Sequence, residues 1–357
     1  MGRKAFNFQW LVFIPALLLS TVGLVVLLSF NADYFYQQLI IGLIGIGIFF
    51  ILSKVDFSLY FYLNSIFYAL TIVLLLVTFL GPSVRGATRW INLGGIRIQP
   101  SELVKPFFMI CFASFFVRFP LTKIRNLYLL ILLFSIPFIL IYKQPDLGNS
   151  LIYTGIFLGL LLVSDISPWW LLIGGILCIV FAPAGFYSLK DYQRLRILTF
   201  LDPVRDPQGS GYNALQSLIT VGSGQIWGRG FGRGTQSILK FLPEHHTDFI
   251  FAAFVEEFGF SGGIILLVIF FMFLWRILKL ASKRLPQTVS FYYLIGYFIQ
   301  IFLQMAIHIG MNLGLIPVTG ITLPFVSYGG SSLLSLWIGL GISMSALRVN
   351  TQKSDLL

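Results

Sequence analysis

The sequence predicts an all-α integral membrane protein of about ten transmembrane helices, with one large extracytoplasmic loop between the seventh and the eighth. Three observations predict it. Hydrophobic residues make up 57% of the 357 and charged residues only 10%, and the mean hydropathy is +0.89, which excludes a soluble globular reading. Several apolar runs are about 20 residues long, the length a helix needs to cross the hydrocarbon core, whereas barrel strands would alternate in short segments. No internal repeat, low-complexity tract or linker divides the runs, so residues 1–357 read as a single polytopic membrane domain.

The first run follows Arg3 and Lys4 and continues to Phe30 without a small-residue cleavage site, which reads as a retained anchor. Crossings are then expected at roughly 8–30, 35–53, 58–80, 101–118, 126–142, 147–164, 168–188, 248–275, 288–314 and 329–347. An even number puts both termini on one side, together with 12 of the 24 basic residues. Of the 12 opposite, seven lie in the long loop 189–247, and loops near that length weigh little in the positive-inside rule, so the termini are expected in the cytoplasm. The net charge of +11 is thus a matter of topology; no basic soluble domain is present to hold nucleic acid. Cys111 and Cys178 fall inside apolar runs, too far from each other for a metal pattern.

The short outer loop before the fourth crossing carries Arg85, Arg89 and Arg97, where the positive-inside rule disfavours them, and runs into Gln99-Pro100-Ser101-Glu102. Ser101 reads as an N-cap, with Glu102 favourable at the positive helix end. Lys105 follows, and Pro106 after it predicts a bend. One reading is an anion site in which Arg85, Arg89, Arg97 and Lys105 meet phosphate oxygens; the other is headgroup snorkelling with a local Glu102–Lys105 pair. In the run 143–150, Pro145 and Asp146 read as a turn that opens a helix.

The long loop has enough apolar residues to lie along the membrane or fold back into the protein, with a short helix expected over 213–221. Its glycines, Gly222 to Gly234, allow tight turns or close approach to a ligand, and Arg229 and Arg233 stand among them. No strand precedes them and no Lys-Ser or Lys-Thr pair follows, so a nucleotide loop is rejected.

The stretch 241–260, FLPEHHTDFIFAAFVEEFGF, puts a polar cluster directly against a membrane-entering helix. Asp248 falls at the expected N-terminus of that helix, and Ala252, Val255 and Gly259 share one face. Glu256 and Glu257 follow about 12 to 13 Å deeper at the usual helical rise, where carboxylates need a job or a partner. Adjacent histidines rarely converge on one ion, so His245 and His246 are not read as zinc ligands. His308 and Asn312, one turn apart, read as a packing pair. Residues 314–332 interrupt the last two helices with prolines and glycines, which only surrounding protein or a watery cavity tolerates.

Taken together, RGATRWINLGG, QPSELVK, QPDLG, YQRLRILTFLDP, GYNALQSLITVGSGQIWGRG, LPEHHTDFIFAAFVEEFG and PVTGITLPFVSYGGSS resemble the SEDS family (shape, elongation, division and sporulation). The resemblance covers about residue 81 to the last helix, and the short N-terminus is more similar to the elongation branch than to the division branch. It implies a peptidoglycan glycosyltransferase that polymerises lipid II at the outer face of the bacterial cytoplasmic membrane, working among bacterial membrane lipids with a class B penicillin-binding protein. The family's essential aspartate corresponds to Asp248, and its PSELxK glutamate and lysine to Glu102 and Lys105. The chain departs from that pattern only at the variable position occupied by His245.

Such a reaction requires a carboxylate to take the acceptor hydroxyl's proton and cations to stabilise the departing pyrophosphate. Asp248 is the candidate base. Arg85, Arg89 and Lys105, with Arg194, Arg196, Arg229 and Arg233, are candidate pyrophosphate partners. Glu102 is expected either to orient Lys105 or to hold a divalent cation, magnesium or manganese; no other cofactor is implied. The rival reading is a transporter that flips the same lipid-linked precursor, which also needs cations, carboxylates at membrane depth and broken helices; a structural scaffold is the third.

Overall fold

The computed structural model describes residues 9–81, 88–93, 96–202, 206 and 209–348. The chain opens with α1 (Trp10–Phe30) and α2 (Ala32–Lys54). The next apolar stretch is interrupted at Leu63 into α3 (Phe57–Tyr62) and α4 (Asn64–Val77) and ends in a 3-10 turn, Thr78–Leu80. A small antiparallel hairpin follows, β1 (Ile91–Leu93) with β2 (Ile96–Ile98), pairing Ile91 with Ile98 and Asn92 with Arg97. Sequence analysis did not anticipate it, because two three-residue strands leave no alternation long enough to read.

The helices then run α5 (Pro100–Leu103), α6 (Lys105–Arg118), α7 (Ile124–Lys143), α8 (Leu147–Leu162) and α9 (Pro168–Ser188). In the long loop lie α10 (Asp191–Leu201), α11 (Ser210–Ser223) and α12 (Thr235–Ile238). The last three are α13 (Ile250–Ala281), α14 (Val289–Asn312) and α15 (Gly330–Ala346). Six of these, α1, α2, α7, α9, α13 and α14, are long and apolar enough to cross a membrane. The chain is an all-α, multi-pass membrane protein.

The core sits around α14 and α15. Trp337 of α15 is fully buried against Phe13 and Phe49 of the first two helices, and Gly45 brings α2 so close that a Cβ there would meet the indole at 2.7 Å. The bend expected near Pro106 is present: α5 stops at Leu103, Val104 takes φ −85° and ψ −3°, and Lys105 and Pro106 begin α6. Ser101 is not the N-cap. Gln99 holds that place without a side-chain cap, because Ser101 Oγ lies among the polar groups of α8 instead, 3.3 Å from Asn149 Nδ2.

The long loop folds back into the bundle. Its key is a break in α13, which sequence analysis expected to be continuous: Gly259 has φ 72° and ψ −175°, a region open essentially to glycine. A break inside a membrane helix orphans backbone groups that lipid cannot satisfy. Residues 225–230 supply the partners. Phe260 N donates to Gln225 O (2.9 Å) and Ser261 N to Ile226 O (3.0 Å), while Arg229 N and Gly230 N donate to Glu256 O and Glu257 O (both 2.9 Å). Two of the loop glycines thereby serve close approach to the helix backbone: a Cβ at Gly224 would meet Val255 O at 2.1 Å and one at Gly228 would meet Glu257 O at 2.2 Å.

Glu256 completes the joint. Its carboxylate accepts from the Gln236 N–H (2.8 Å), the Ser237 N–H (3.2 Å) and Ser237 Oγ (2.7 Å) at the start of α12, so a fully buried charge has several donors around it. Gly259→Ala would force a side chain into a glycine-only conformation, with its Cβ 2.3 Å from Gly228 N. The expected loss is about 2–4 kcal/mol, read as a lower thermal midpoint of the purified protein. An unchanged midpoint would show that the joint does not hold the loop.

Candidate active site

Asp248 lies two residues before the first residue of α13, half-buried, with Phe249 at the N-cap. The expected placement at the mouth of this helix is therefore found. Three contacts hold its segment against the irregular stretch between α14 and α15. Tyr328 N donates to His246 O (3.0 Å), Ser327 Oγ to Thr247 O (2.8 Å) and Asn312 Nδ2 to Asp248 O (3.0 Å). Asn312 also donates to His308 O (2.8 Å) and accepts from Ala252 N (3.0 Å) in the first turn of α13. What reads in sequence as a packing pair is thus the clamp that sets the aspartate's backbone. His245 and His246 pack edge-on to Phe30 and flat on Tyr34, and burial pushes both imidazoles below their ordinary range.

Residues 318–322 form the spine of the site. Gly320, at φ 75°, faces the carboxylate: a Cβ there would stand 3.5 Å from Asp248 Oδ2. On either side of it, His308 Nδ1 holds Ile321 O (2.7 Å) and Arg196 Nη1 holds Val318 O (3.3 Å). Across the spine, Thr319 O and Ile321 abut Gly148 at the start of α8, where a Cβ would meet them at 3.1 and 2.8 Å.

Beside Gly148 a second acid gathers the cationic loop. Asp146 caps α8 by accepting from Asn149 N (3.1 Å), and it also accepts from Gln99 Nε2 (2.8 Å) and Asn149 Nδ2 (2.9 Å). Arg89 Nη1 stands 3.9 Å from it. The guanidinium donates to Pro145 O (2.6 Å) and to the Tyr192 hydroxyl oxygen (3.3 Å). Asp146 opens α8 as the sequence reading expects, and the Arg89 contact is an addition that reading did not contain. At the start of α6, Lys105 is wholly buried, with Nζ 2.6 Å from Glu102 Oε1 of α5, and Glu102 Oε2 is buried without a partner.

The other candidates are distributed more widely. Arg85 lies outside the described residues. Arg196 lines an open cleft of about 90 Å³ with Thr199, Phe200, Leu215, Leu218 and Pro317. Arg194 donates to Phe186 O and Tyr187 O at the C-terminal end of α9 and lies 3.8 Å from Asp191, a helix-end role. Arg229 is held by Ser223 O and Thr235 Oγ1, and Arg233 is exposed on the glycine loop, both near Glu256 rather than Asp146. Among the described residues no three His, Cys, Asp or Glu converge as a metal site. The ammonium 2.6 Å from Glu102 disfavours a divalent ion at that carboxylate.

Gln99, Asn149, Tyr192 and Gly320 were not singled out by sequence analysis, although the first two lie inside the QPSELVK and QPDLGNS stretches. Nothing local in a sequence shows that residues some 45 apart meet.

Against this geometry, the family model FTSW_RODA_SPOVE, described as "Cell cycle protein", matches residues 7–352. The chain belongs to the FtsW/RodA/SpoVE family. A relative within reach of that family, peptidoglycan glycosyltransferase MrdB of Escherichia coli K12, is 41% identical over 283 residues, 78% of this chain and 76% of its own length. A chain from a solved peptidoglycan synthase complex, described as coordinating polymerization and crosslinking, has a TM-score of 0.84 at 29% identity, covering 96% of this chain and 98% of that one. Rod shape determining protein RodA of Thermus thermophilus has a TM-score of 0.73 at 27% identity with the same coverage. The SEDS resemblance of the motifs thus extends over the whole membrane domain of a family member.

The buried Glu102–Lys105 pair alters what sequence alone expects of Lys105. Lys105→Met leaves an uncompensated carboxylate in the interior and should cost about 3–5 kcal/mol. The double variant Glu102→Gln/Lys105→Met should recover most of that in a thermal unfolding assay. A double variant as unstable as the single one would mean that the pair is not what the charge balance depends on.

Proposed function

We propose that this chain is a peptidoglycan glycosyltransferase that polymerises lipid II at the outer face of the cytoplasmic membrane during cell-wall elongation. The observation that carries the reading is the half-buried Asp248 carboxylate, set against Gly320 on a spine whose far side meets the Asp146–Arg89 pair. Names of relatives agree with it: MrdB is a peptidoglycan glycosyltransferase.

The chemistry follows from the two sides of the spine. The acceptor's sugar 4-hydroxyl attacks the donor's anomeric carbon; the new C–O bond forms as the bond to the lipid pyrophosphate breaks, and the electron pair leaves with the phosphate. Asp248 takes the hydroxyl proton as general base. Arg89 and Arg196, the candidates with part-exposed guanidinium groups beside the spine, stabilise the negative charge that develops on the leaving group. The Glu102–Lys105 pair is buried where α5 meets α6 and leaves the charge stabilisation to the two arginines. Arg194, Arg229 and Arg233 have local partners or exposure that place them outside this core set, and no step is routed through a metal ion.

In the same proposal the chain crosses the membrane ten times as one polytopic domain. Helices α3–α4 and α5–α6 each form one bent crossing, the termini are cytoplasmic, and 189–247 is the outer loop. Lipid II is the donor and acceptor, and a class B penicillin-binding protein is the expected partner in crosslinking, in keeping with the synthase complex that the fold matches. A flippase for the same lipid remains the competing reading, and it needs no proton acceptor beside the sugar.

Two measurements test this. Purified chain given lipid II, with no other transferase, should produce glycan strands, and Asp248→Asn should lower the rate at least about 100-fold with the thermal midpoint kept; normal polymerisation by that variant would remove Asp248 from the role of base. Arg89→Ala should lower kcat/KM by roughly tenfold or more, the worth of a charge-assisted contact, while translocation of lipid II without polymerisation in the parent would favour the flippase.

A further inference from the structure

Next to the break in α13 stand two adjacent carboxylates in the same buried setting, and their donors differ completely. Glu256 faces two backbone N–H groups and the Ser237 hydroxyl, donors that an ionised carboxylate requires. Glu257 is 1% exposed and has one close neighbour: Oε1 lies 2.6 Å from Ser29 Oγ at the end of α1. Oε2 is buried with no partner at all. The Gly232 amide faces the same carboxyl from the loop, a single neutral donor against the three that Glu256 has.

The protons around Ser29 decide the matter. Ser29 Oγ lies 2.8 Å from Val26 O as well as 2.6 Å from Glu257 Oε1. A hydroxyl carries one hydrogen, and a carbonyl oxygen can only accept. If Glu257 were ionised, both neighbours of Ser29 would compete for that one hydrogen, and a charge would be left in apolar surroundings with its second oxygen bare. If Glu257 carries a proton, both contacts are made: the carboxylic acid O–H donates to Ser29 Oγ, and Ser29 O–H donates to Val26 O. Only a neutral carbonyl-type oxygen is then left without a partner, a far smaller penalty than an unpaired buried charge.

We infer that Glu257 is a proton-binding site, a neutral carboxylic acid that latches α1 to α13 beside the Gly259 break while Glu256 next to it stays ionised. Among the described residues no cation pairs with this carboxyl. The elements packed around this point are α1, α11, α12, α14, the glycine loop and the segment 240–249, whose His245 lies edge-on to Phe30 with Nδ1 at Leu242 O and whose Lys240 is exposed. The helices α1, α11 and α12 carry no Asp, Glu, Lys, Arg or His, α14 carries His308 alone, and His308 is taken up by Ile321 O. Arg229 and Arg233 on the loop are exposed, and neither forms an ion pair with the carboxyl.

The test uses the full chain in nanodiscs and reads infrared absorption at mildly alkaline pH, where exposed acids are ionised. The parent should show a carboxylic acid C=O stretch that Glu257→Gln removes. Glu257→Gln should keep the thermal midpoint, because its amide donates to Ser29 Oγ as the acid does, and Glu256→Gln should lower it, because an amide cannot accept from all of α12's donors. Absence of the acid band in the parent, or loss of a carboxylate band in Glu257→Gln, would overturn the inference. A midpoint that rises in Glu257→Gln would also overturn it, since it would report the removal of a buried charge; a midpoint that falls and depends on sodium or potassium in the parent would replace the proton with a bound cation.

Discussion

In a membrane, every departure from helix must find its hydrogen-bond partners in the protein itself, and the functional part of this molecule is built from two such departures. The break at Gly259 is closed by the backbone of residues 225–230. The stretch between α14 and α15 is closed by Ser327, His308, Asn312 and Gln38, whose side chains take up Leu323 N, Ile321 O, Asp248 O and Ser327 O. Irregular backbone is what lets a chain present carbonyls, a glycine surface and a carboxylate at one point. The cost of irregularity explains why so many polar side chains are buried nearby.

The same constraint sorts the acids. Asp248 stays half-buried at the mouth of α13. Asp146 is surrounded by Arg89, Gln99 and Asn149, and Glu102 is matched by Lys105. Glu256 receives the amides that open α12. Each arrangement balances a carboxylate in low dielectric by a different means: exposure, an amide and guanidinium shell, an ammonium, or backbone dipoles. Of these, Asp248 is the one that is only half-buried, which is why the catalytic role falls to it in the proposed mechanism.

Much of this was legible in the chain. Apolar runs of membrane length, the prolines after Lys105 and Asp248's place just before a long apolar helix follow from local rules, and the structure has helices, a bend and a helix mouth there. The expectation that Glu256 and Glu257 must have partners was also local, since depth along a helix follows from its rise. Other readings failed for an equally physical reason. Ser101 looks like a cap because capping is judged from three or four neighbouring residues, yet its hydroxyl lies beside Asn149. The loop glycines look like a ligand cradle because glycine in sequence shows only that something comes close, not what.

By itself the sequence determined where the helices run, that they belong in a membrane, and which residue types stand at each end, because hydrophobic periodicity and length are properties of contiguous residues. Only the tertiary structure decided that Asn312 holds Asp248, that Gly320 rather than a side chain faces its carboxylate, that Arg89 meets Asp146 from 57 positions away, and that Glu256 and Glu257 face different donors. Those outcomes depend on which groups packing brings within about 3 Å, the range over which hydrogen bonds act, and no spacing along the chain encodes that distance.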